Sequence, residues 1–591
     1  MQNLVNLRHL DIFGSISVEE MPKKMSKLKD LQFLSDYIAG KHEENGFVEL
    51  GELAHLHGSF CLKKLENVKN SVEASNARMD EKIHLNALEL WWSSFEKSEV
   101  CDSQSEKDVL DKLRPHKDLK MLSLWGYRGT MFPDWVGQCS YHNMTSLEMR
   151  GCRNCWVLPS LGQLPALTRL EISGFDMVKK IGGSFYKGDG THQHQETPFR
   201  SLKSLHFDDM RCWEEWESYE CDDDDDAPFP KLETLEIWDC PKLRGDLPTF
   251  LPSLKQLHIR GCEEIGCYLP RAPMIRSLII SGKQEARMRE LPLSMLERLW
   301  VNGEQLVDSL FEAMTHTQPT SLKELGISNC SSAISFPGDA LPPSLKQLRI
   351  NNCKNVEFPM QHQQHHSLTR TLNDSTGTYQ FNAVRLCTSV LLLLHHALSY
   401  TQMERRSLPF LVLEKVVING EQQVEYVFEA MTHTQPTSLR ELSISNCSTA
   451  ISFPGDSLPP SLKELYIIDC KNVEFPMQHQ QHHSLQRLQI HNSCDSLTSF
   501  ALPPFPNLND LRIERCENLT SLELSLSQSL QVLWIEKCPK LENIIRLPAC
   551  LRELIIRECG LLGEGIERKD PHIWPSISHI PVIFVDEKLI Q

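Results

Sequence analysis

The chain has 591 residues, of which 40% are hydrophobic and 24% charged, an ordinary soluble composition. Its formal net charge is −17 and no basic stripe is visible, which excludes the electrostatic footprint of a nucleic-acid binder. The longest notable apolar run, Val390 to Leu394, is far too short to span a bilayer, and the start, Met1-Gln-Asn-Leu-Val-Asn-Leu7, lacks both the charged and the apolar region of a signal peptide.

Taken in chain order, short apolar segments begin at Leu7, Leu31, near Leu62 and at Leu85. From Leu119 a phrase settles into register, Leu-x-x-Leu-x-Ile-x-x-Cys, with copies such as Leu232, Leu235, Ile237, Cys240 and Leu254, Leu257, Ile259, Cys262. It returns at Leu322 and Leu345, resumes at Leu413, and continues through Leu439, Leu462, Leu485, Leu508, Leu530 and Leu551. Most intervals are about 21 to 26 residues, the period of a leucine-rich-repeat solenoid. Two longer intervals, before Leu202 and Leu232, carry insertions. Within each phrase Leu and Ile alternate with polar residues, so Leu235 and Ile237 point inward and Glu236 outward. Return segments such as Phe336-Pro-Gly-Asp-Ala-Leu-Pro-Pro-Ser344 hold prolines that forbid a regular helix. The expected fold is an α/β-type repeat solenoid: a curved leucine-rich-repeat horseshoe, a parallel inner sheet, and coil and 3-10 turns outside.

Four regions follow. Residues 1–118 carry irregular repeats, 119–368 carry repeats with a cysteine ladder, 369–410 break the register, and 411–591 carry the C-terminal repeats. Residues 302–368 and 419–485 align without gaps, and the mismatches include Lys323 against Arg440 and Arg349 against Tyr466. A modular stack tolerates such copying. The segment 369–410 is either an insertion or non-coding sequence carried into the reading frame. At the C-terminal end, Asp570 to Trp574 and a last strand in Pro581–Val585 offer a cap. At the N-terminal end, Leu7, Leu10 and Ile12 form an apolar edge that needs a cover.

Ten of the 20 cysteines sit at the phrase end: Cys152, Cys240, Cys262, Cys330, Cys353, Cys447, Cys470, Cys516, Cys538 and Cys559. They read as reduced, structural thiols, each a small apolar group with a weak donor. No P-loop is present, because Gly40-Lys41 is followed by His42 and lacks the upstream glycine. The acidic run Asp222 to Asp226 lacks spaced calcium ligands and a turn glycine. The tracts around His362 and His479, and His192 with His194, lack a completing Cys or carboxylate for zinc. The Asn329, Asn446 and Asn518 sequons read as chance. No catalytic, metal or cofactor residue emerges. The informative residues lie between or just after the inward ones: Trp91, Trp125, His206, Trp238, His258, Trp300, Arg349, Tyr466, Arg512 and Trp534. Tryptophan, tyrosine and arginine on a solvated face are the residue types of binding hot spots.

Several segments resemble the leucine-rich-repeat region of plant coiled-coil nucleotide-binding disease-resistance proteins. They are Leu4-Val-Asn-Leu-Arg-His-Leu-Asp-Ile12, Leu113-Arg-Pro-His-Lys-Asp-Leu119, Trp125-Gly-Tyr-Arg-Gly-Thr-Met-Phe-Pro-Asp-Trp135, Leu158-Pro-Ser-Leu-Gly-Gln-Leu-Pro165, Phe199-Arg-Ser-Leu-Lys-Ser-Leu205 and Trp213-Glu-Glu-Trp216. The resemblance implies a cytoplasmic, non-catalytic module that recognises a pathogen effector or the host protein it targets, and that restrains a nucleotide-binding module. Neither that module nor a coiled coil lies within this chain, so ATP or ADP binding is not carried over. The alternative is the substrate-recognition repeat domain of a ubiquitin ligase, which would need a helical adaptor-binding module where residues 1–60 show repeats. An extracellular receptor would need a signal peptide.

Overall fold

The computed structural model describes residues 4–15, 18–41, 46–92, 103–187, 197–217, 219, 228–244, 246–265, 269–282, 292–317, 319–335, 342, 344–357, 413–420, 424, 427–428, 437–452, 458–474, 482–493, 499–501, 505–524 and 528–591. The chain forms two compact units, Met1–Leu296 and Glu297–Gln591. The segment 369–410, the acidic run 222–226, the first histidine tract, and His192 with His194 lie outside the described residues.

The first unit stacks ten parallel strands: β1 (Asp36–Ile38), β2 (Gly58–Lys63), β3 (Leu85–Trp91), β4 (Met121–Trp125), β5 (Ser146–Arg150), β6 (Arg169–Ser173), β7 (Ser204–Asp208), β8 (Thr234–Trp238), β9 (Gln256–Arg260) and β10 (Ser277–Ser281). The second stacks β11 (Arg298–Asn302), β12 (Glu324–Ser335), β13 (Gln347–Glu357), β14 (Lys415–Asn419), β15 (Glu441–Ser452), β16 (Glu464–Glu474), β17 (Arg487–His491), β18 (Asp510–Glu514), β19 (Val532–Glu536), β20 (Glu553–Arg557) and β21 (Val582–Val585). Register follows the phrase. Leu205 pairs with Leu235 and Leu257, and Phe207 with Ile237 and Ile259, so inward side chains form columns. All six are fully buried. Each buried Leu or Ile contributes about 1.5–3 kcal/mol, which is why the inward positions carry the repeat. The ladder also runs unbroken past the segment at 369–410, since Leu348 on β13 pairs directly with Val416 on β14.

Two local devices end and bind each repeat. The residue before each ladder cysteine has a left-handed backbone, as at Gly151 (φ 67), Asp239 (φ 49), Asn329 (φ 56) and Asn446 (φ 54). Gly, Asn and Asp tolerate this conformation best, which explains their recurrence there. The cysteine then turns inward and its thiol donates to the carbonyl two residues back. Examples are Cys240 to Trp238 at 3.1 Å, Cys262 to Arg260 at 3.4 Å and Cys559 to Arg557 at 3.2 Å. Ser493 occupies the same slot and donates to His491 O at 2.7 Å, so the slot selects a small donor rather than sulfur chemistry. Before the strands, Ser253, Ser344 and Ser461 donate to carbonyls of the preceding repeat at 2.8 Å.

Short 3-10 turns appear on the return side at Leu161–Gln163 and Leu293–Met295. The return side is more ordered than coil and 3-10 alone. It contains α-helices at Ser103–Lys112 and Glu304–His316. The second has no proline, and Leu306, Val307, Leu310, Phe311 and Met314 bury one face at helical spacing. Two small parallel sheets also form, Lys180–Ile181 with Glu215–Trp216, and Ser499–Ala501 with Ser521–Glu523 and Asn543–Ile545. The two longest repeats widen the interior of the first unit. Phe185, Tyr186, Phe199, Phe207, Trp213, Trp216 and Phe229 fill that space, and Trp216 Nε1 donates to the Tyr186 hydroxyl at 2.6 Å.

At the C-terminal end β22 (Lys588–Leu589) runs antiparallel to β21 and covers its edge. At the other end His9–Leu10 pairs with Phe33–Leu34, Leu7, Leu10 and Ile12 are half-buried, and Phe13 is 82% exposed.

Candidate functional site: the solvent face of the repeat sheet

Two rows of side chains leave the sheet on the side away from the core. One lies between the inward Leu and Ile, the other just after the Ile. His206, His258, Trp300, Arg349, Tyr466, Arg512 and Trp534 stand in the first row; Trp91, Trp125 and Trp238 stand in the second. All ten are partly or fully exposed. The structure gathers them into separate groups along the ladders rather than into one site.

In the first unit the Trp91 and Trp125 rings stack with centroids 4.6 Å apart and planes 14° from parallel. Register causes this, because Trp91 and Trp125 are direct cross-strand partners, one strand spacing apart. Arg150 on β5 lies 4.9 Å from the Trp125 ring, and Lys63 on β2 lies 6.0 Å from Trp91. Arg150 is fixed by ion pairs to Glu148 and Glu171, and Trp91 Nε1 donates to Glu89 at 3.1 Å. The stack is thus a cation–aromatic–aromatic–cation column held in one conformation.

Further along, Glu236 sits between two histidines, with His206 Nδ1 at 3.1 Å and His258 Nδ1 at 3.0 Å. His258 Nε2 lies 3.2 Å from Ser277 Oγ, and His206 packs edge-on against Trp238 with centroids 4.6 Å apart. Among the described residues no group of three or more His, Cys, Asp or Glu could hold a metal ion.

In the second unit Trp300, Gly326 and Arg349 are consecutive partners across β11, β12 and β13. The indole lies across Gly326, where an added Cβ would be 3.0 Å from Trp300 Cγ, and Arg349 stacks 4.7 Å from the ring. Trp534 is held between Arg512 at 5.5 Å and Arg557 at 4.7 Å. The Tyr466 hydroxyl donates to Glu464 at 2.6 Å; burial and that neighbouring carboxylate raise its pKa. Such stacked pairs contribute about 0.5–1 kcal/mol each and lock large rings in place. Sequence reasoning missed Lys63, Arg150, Glu236, Gly326 and Arg557. Carrying the phrase register from strand to strand would have found Lys63, Arg150, Glu236 and Gly326, each a lateral neighbour of a named aromatic or histidine, but not Arg557, which pairs with Glu536 and reaches Trp534 diagonally.

Residues 47–175 match the R13L1/DRL21 leucine-rich repeats. A putative disease resistance protein of Arabidopsis thaliana is 29% identical over 82% of this chain and 37% of its own length. The putative disease resistance RPP13-like protein 1 of the same plant is 40% identical over 36% of this chain and 21% of its length. The putative disease resistance protein RGA1 of Solanum bulbocastanum is 30% identical over 52% and 29%. The chain is thus similar over most of its length to the leucine-rich-repeat regions of plant disease-resistance proteins. This repeat region spans well under half the length of each of these relatives. No helix among its described residues is long and apolar enough to cross a membrane.

Proposed function

We propose that the solvent face of the repeat sheet binds a protein, and that the chain recognises a pathogen effector or its host target, and restrains a nucleotide-binding switch, in the cytoplasm. The reading needs no cofactor bound to the repeats and no catalysis by them. The observation that carries it is the internal copy. Between 302–368 and 419–485 no inward strand residue differs: Leu322, Leu325, Ile327, Cys330, Leu345, Leu348, Ile350 and Cys353 recur as Leu439, Leu442, Ile444, Cys447, Leu462, Leu465, Ile467 and Cys470. Outward residues do differ, with Gly326 against Ser443, Gln347 against Glu464, Arg349 against Tyr466 and Asn351 against Ile468. One scaffold therefore presents two different surfaces, as a recognition face requires and a purely structural one does not. The aromatic and arginine stacks support the same reading, being rigid, amphipathic anchors of the kind that dominate protein interfaces.

The test is a chain with Trp125→Ala, Trp300→Ala and Trp534→Ala, expressed in leaf tissue and compared with the parent chain for the proteins it captures. Each anchor that is buried by the partner is expected to cost about 2 kcal/mol or more of binding. Unchanged capture by a variant with unchanged circular dichroism would sink the proposal.

A further inference from the structure

A second, polar feature lies outside the aromatic groups. In the second unit the residue just before each strand forms its own row: Glu297, Lys323, Lys346, Glu414, Arg440, Lys463 and Gln486. Backbone bonds from Arg440 N to Glu414 O, Lys463 N to Arg440 O and Gln486 N to Lys463 O place the last four on successive strands. Charges at the start of the row are matched. Lys323 pairs with Glu297 at 2.7 Å and Lys346 with Glu414 at 2.8 Å. Arg440 and Lys463 are exposed, and among the described residues neither has a carboxylate within ion-pair distance. Glu414, the acid beside Arg440, is already taken by Lys346, and the next strand offers only the neutral Gln486.

These two cations border a concavity of about 340 Å³, which Glu414, held by Lys346, and Thr437, Ser438, Ser461 and Ser484 also line. Ser461 donates its hydroxyl to Leu439 O, and Ser484 to Pro460 O. Thr437 and Ser438 make no side-chain hydrogen bond among the described residues. The site thus offers an arginine fork, an ammonium about one strand spacing (~4.8 Å) away, and two uncommitted hydroxyls. Lys346, Arg440 and Lys463 share the single carboxylate Glu414, so this spot keeps a local positive excess on a chain of net charge −17 that repels anions in general.

We propose that this concavity, between the starts of β14 and β17, is an anion subsite for a phosphoryl group. A flat carboxylate can satisfy the arginine fork alone. A tetrahedral, doubly charged oxyanion has oxygens enough for the fork, the ammonium and a hydroxyl together. The internal copy sharpens this. The corresponding first-copy residues, Lys323 and Lys346, each form an ion pair with a glutamate, whereas Arg440 has only a share of Glu414 and Lys463 has no ion pair among the described residues, so the duplication left the second copy with the greater positive excess. The group is either free phosphate or the phosphorylated side chain of a protein, and the proposal stands whichever protein the aromatic face binds.

The test is calorimetric titration of the full chain with inorganic phosphate, and with a phosphoserine peptide beside its unphosphorylated form. Saturable binding that weakens about tenfold or more in Arg440→Gln/Lys463→Gln, and is retained in Lys323→Gln, is the expected result. Tighter binding of the phosphopeptide than of phosphate identifies a protein-borne group; equal or weaker binding identifies the free ion. Both exchanged side chains are exposed, so the double variant keeps its fold, which circular dichroism checks. No saturable binding of either probe, or equal binding by the double variant, would overturn the proposal.

Discussion

Gly326 shows how one residue shapes the candidate face. It has no Cβ, so Trp300 lies over it and reaches Arg349 two strands away. At the corresponding place in the second copy Ser443 stands between Val417 and Tyr466, where the smaller valine makes no such demand. Gly326→Ala is expected to push the indole off its stack, and a Trp300→Ala/Arg349→Ala double-mutant cycle in the parent to give about 0.5–1 kcal/mol of coupling that vanishes in the Gly326→Ala background. Tryptophan fluorescence and urea unfolding read both. The turn before the cysteine gives a second residue-scale prediction. Arg515 holds a left-handed backbone at φ 54 that most repeats give to Gly, Asn or Asp. Arg515→Gly is expected to raise stability by about 0.5–1 kcal/mol, the relief of left-handed strain less the entropy glycine adds. A lower urea midpoint would count against it. The two-residue alternation made the outward residues legible. Their partners were not, because an isolated phrase says which face a side chain leaves and not which neighbour it meets.

At the scale of elements, the strands were legible and the return segments only partly so. Each strand repeats the same inward Leu and Ile, and identical phrases stack in identical register. Return segments share no phrase. Near prolines the return path takes short 3-10 turns at Leu161–Gln163 and Leu293–Met295, as the sequence implies, whereas Glu304–His316 lacks proline and follows its own apolar period into a helix. That helix carries buried Leu310. Leu310→Ala is expected to cost about 2–5 kcal/mol, as for other buried leucines, while Ser309→Ala beside it should change little. Equal midpoints for the two variants would show that the helix is not packed as described. The aromatic filling of the two longest repeats follows the same logic: a longer return path encloses more volume, and Phe199, Trp213 and Phe229 occupy it.

Across the whole molecule, the buried thiols govern behaviour in alkali. Burial pushes the Cys152 thiol up to about 12, and raises Cys155 and Cys61 further. In the unfolded chain they ionise near pH 8.5. Their contribution to stability is therefore complete below about pH 8.5 and is lost as pH rises toward the folded values, by about 1.4 kcal/mol per pH unit for each thiol. Lys82 acts with the opposite sign. Burial lowers it to about 8, so it adds stability as pH rises from about 8 toward its unfolded value near 10.4. Three thiols outweigh one lysine, and the urea midpoint under reducing conditions should fall between pH 8.5 and 10; a rise would reject this. All ten ladder cysteines are buried, leaving exposed Cys139 and half-exposed Cys212 and Cys550 as the described thiols open to reagent.

The account rests on the claim that the sheet's solvent face, not the return side, meets another protein. Photo-crosslinking tests this most directly. The photoreactive residue benzoylphenylalanine is placed in turn at Tyr466 and Trp534 on the sheet, and at the exposed return-side positions Lys540 and Leu561, in the full chain expressed in leaf cells. The account predicts adducts with a second protein from the sheet positions and few or none from the return side. Adducts confined to the return side, or equal at all four positions, would contradict it.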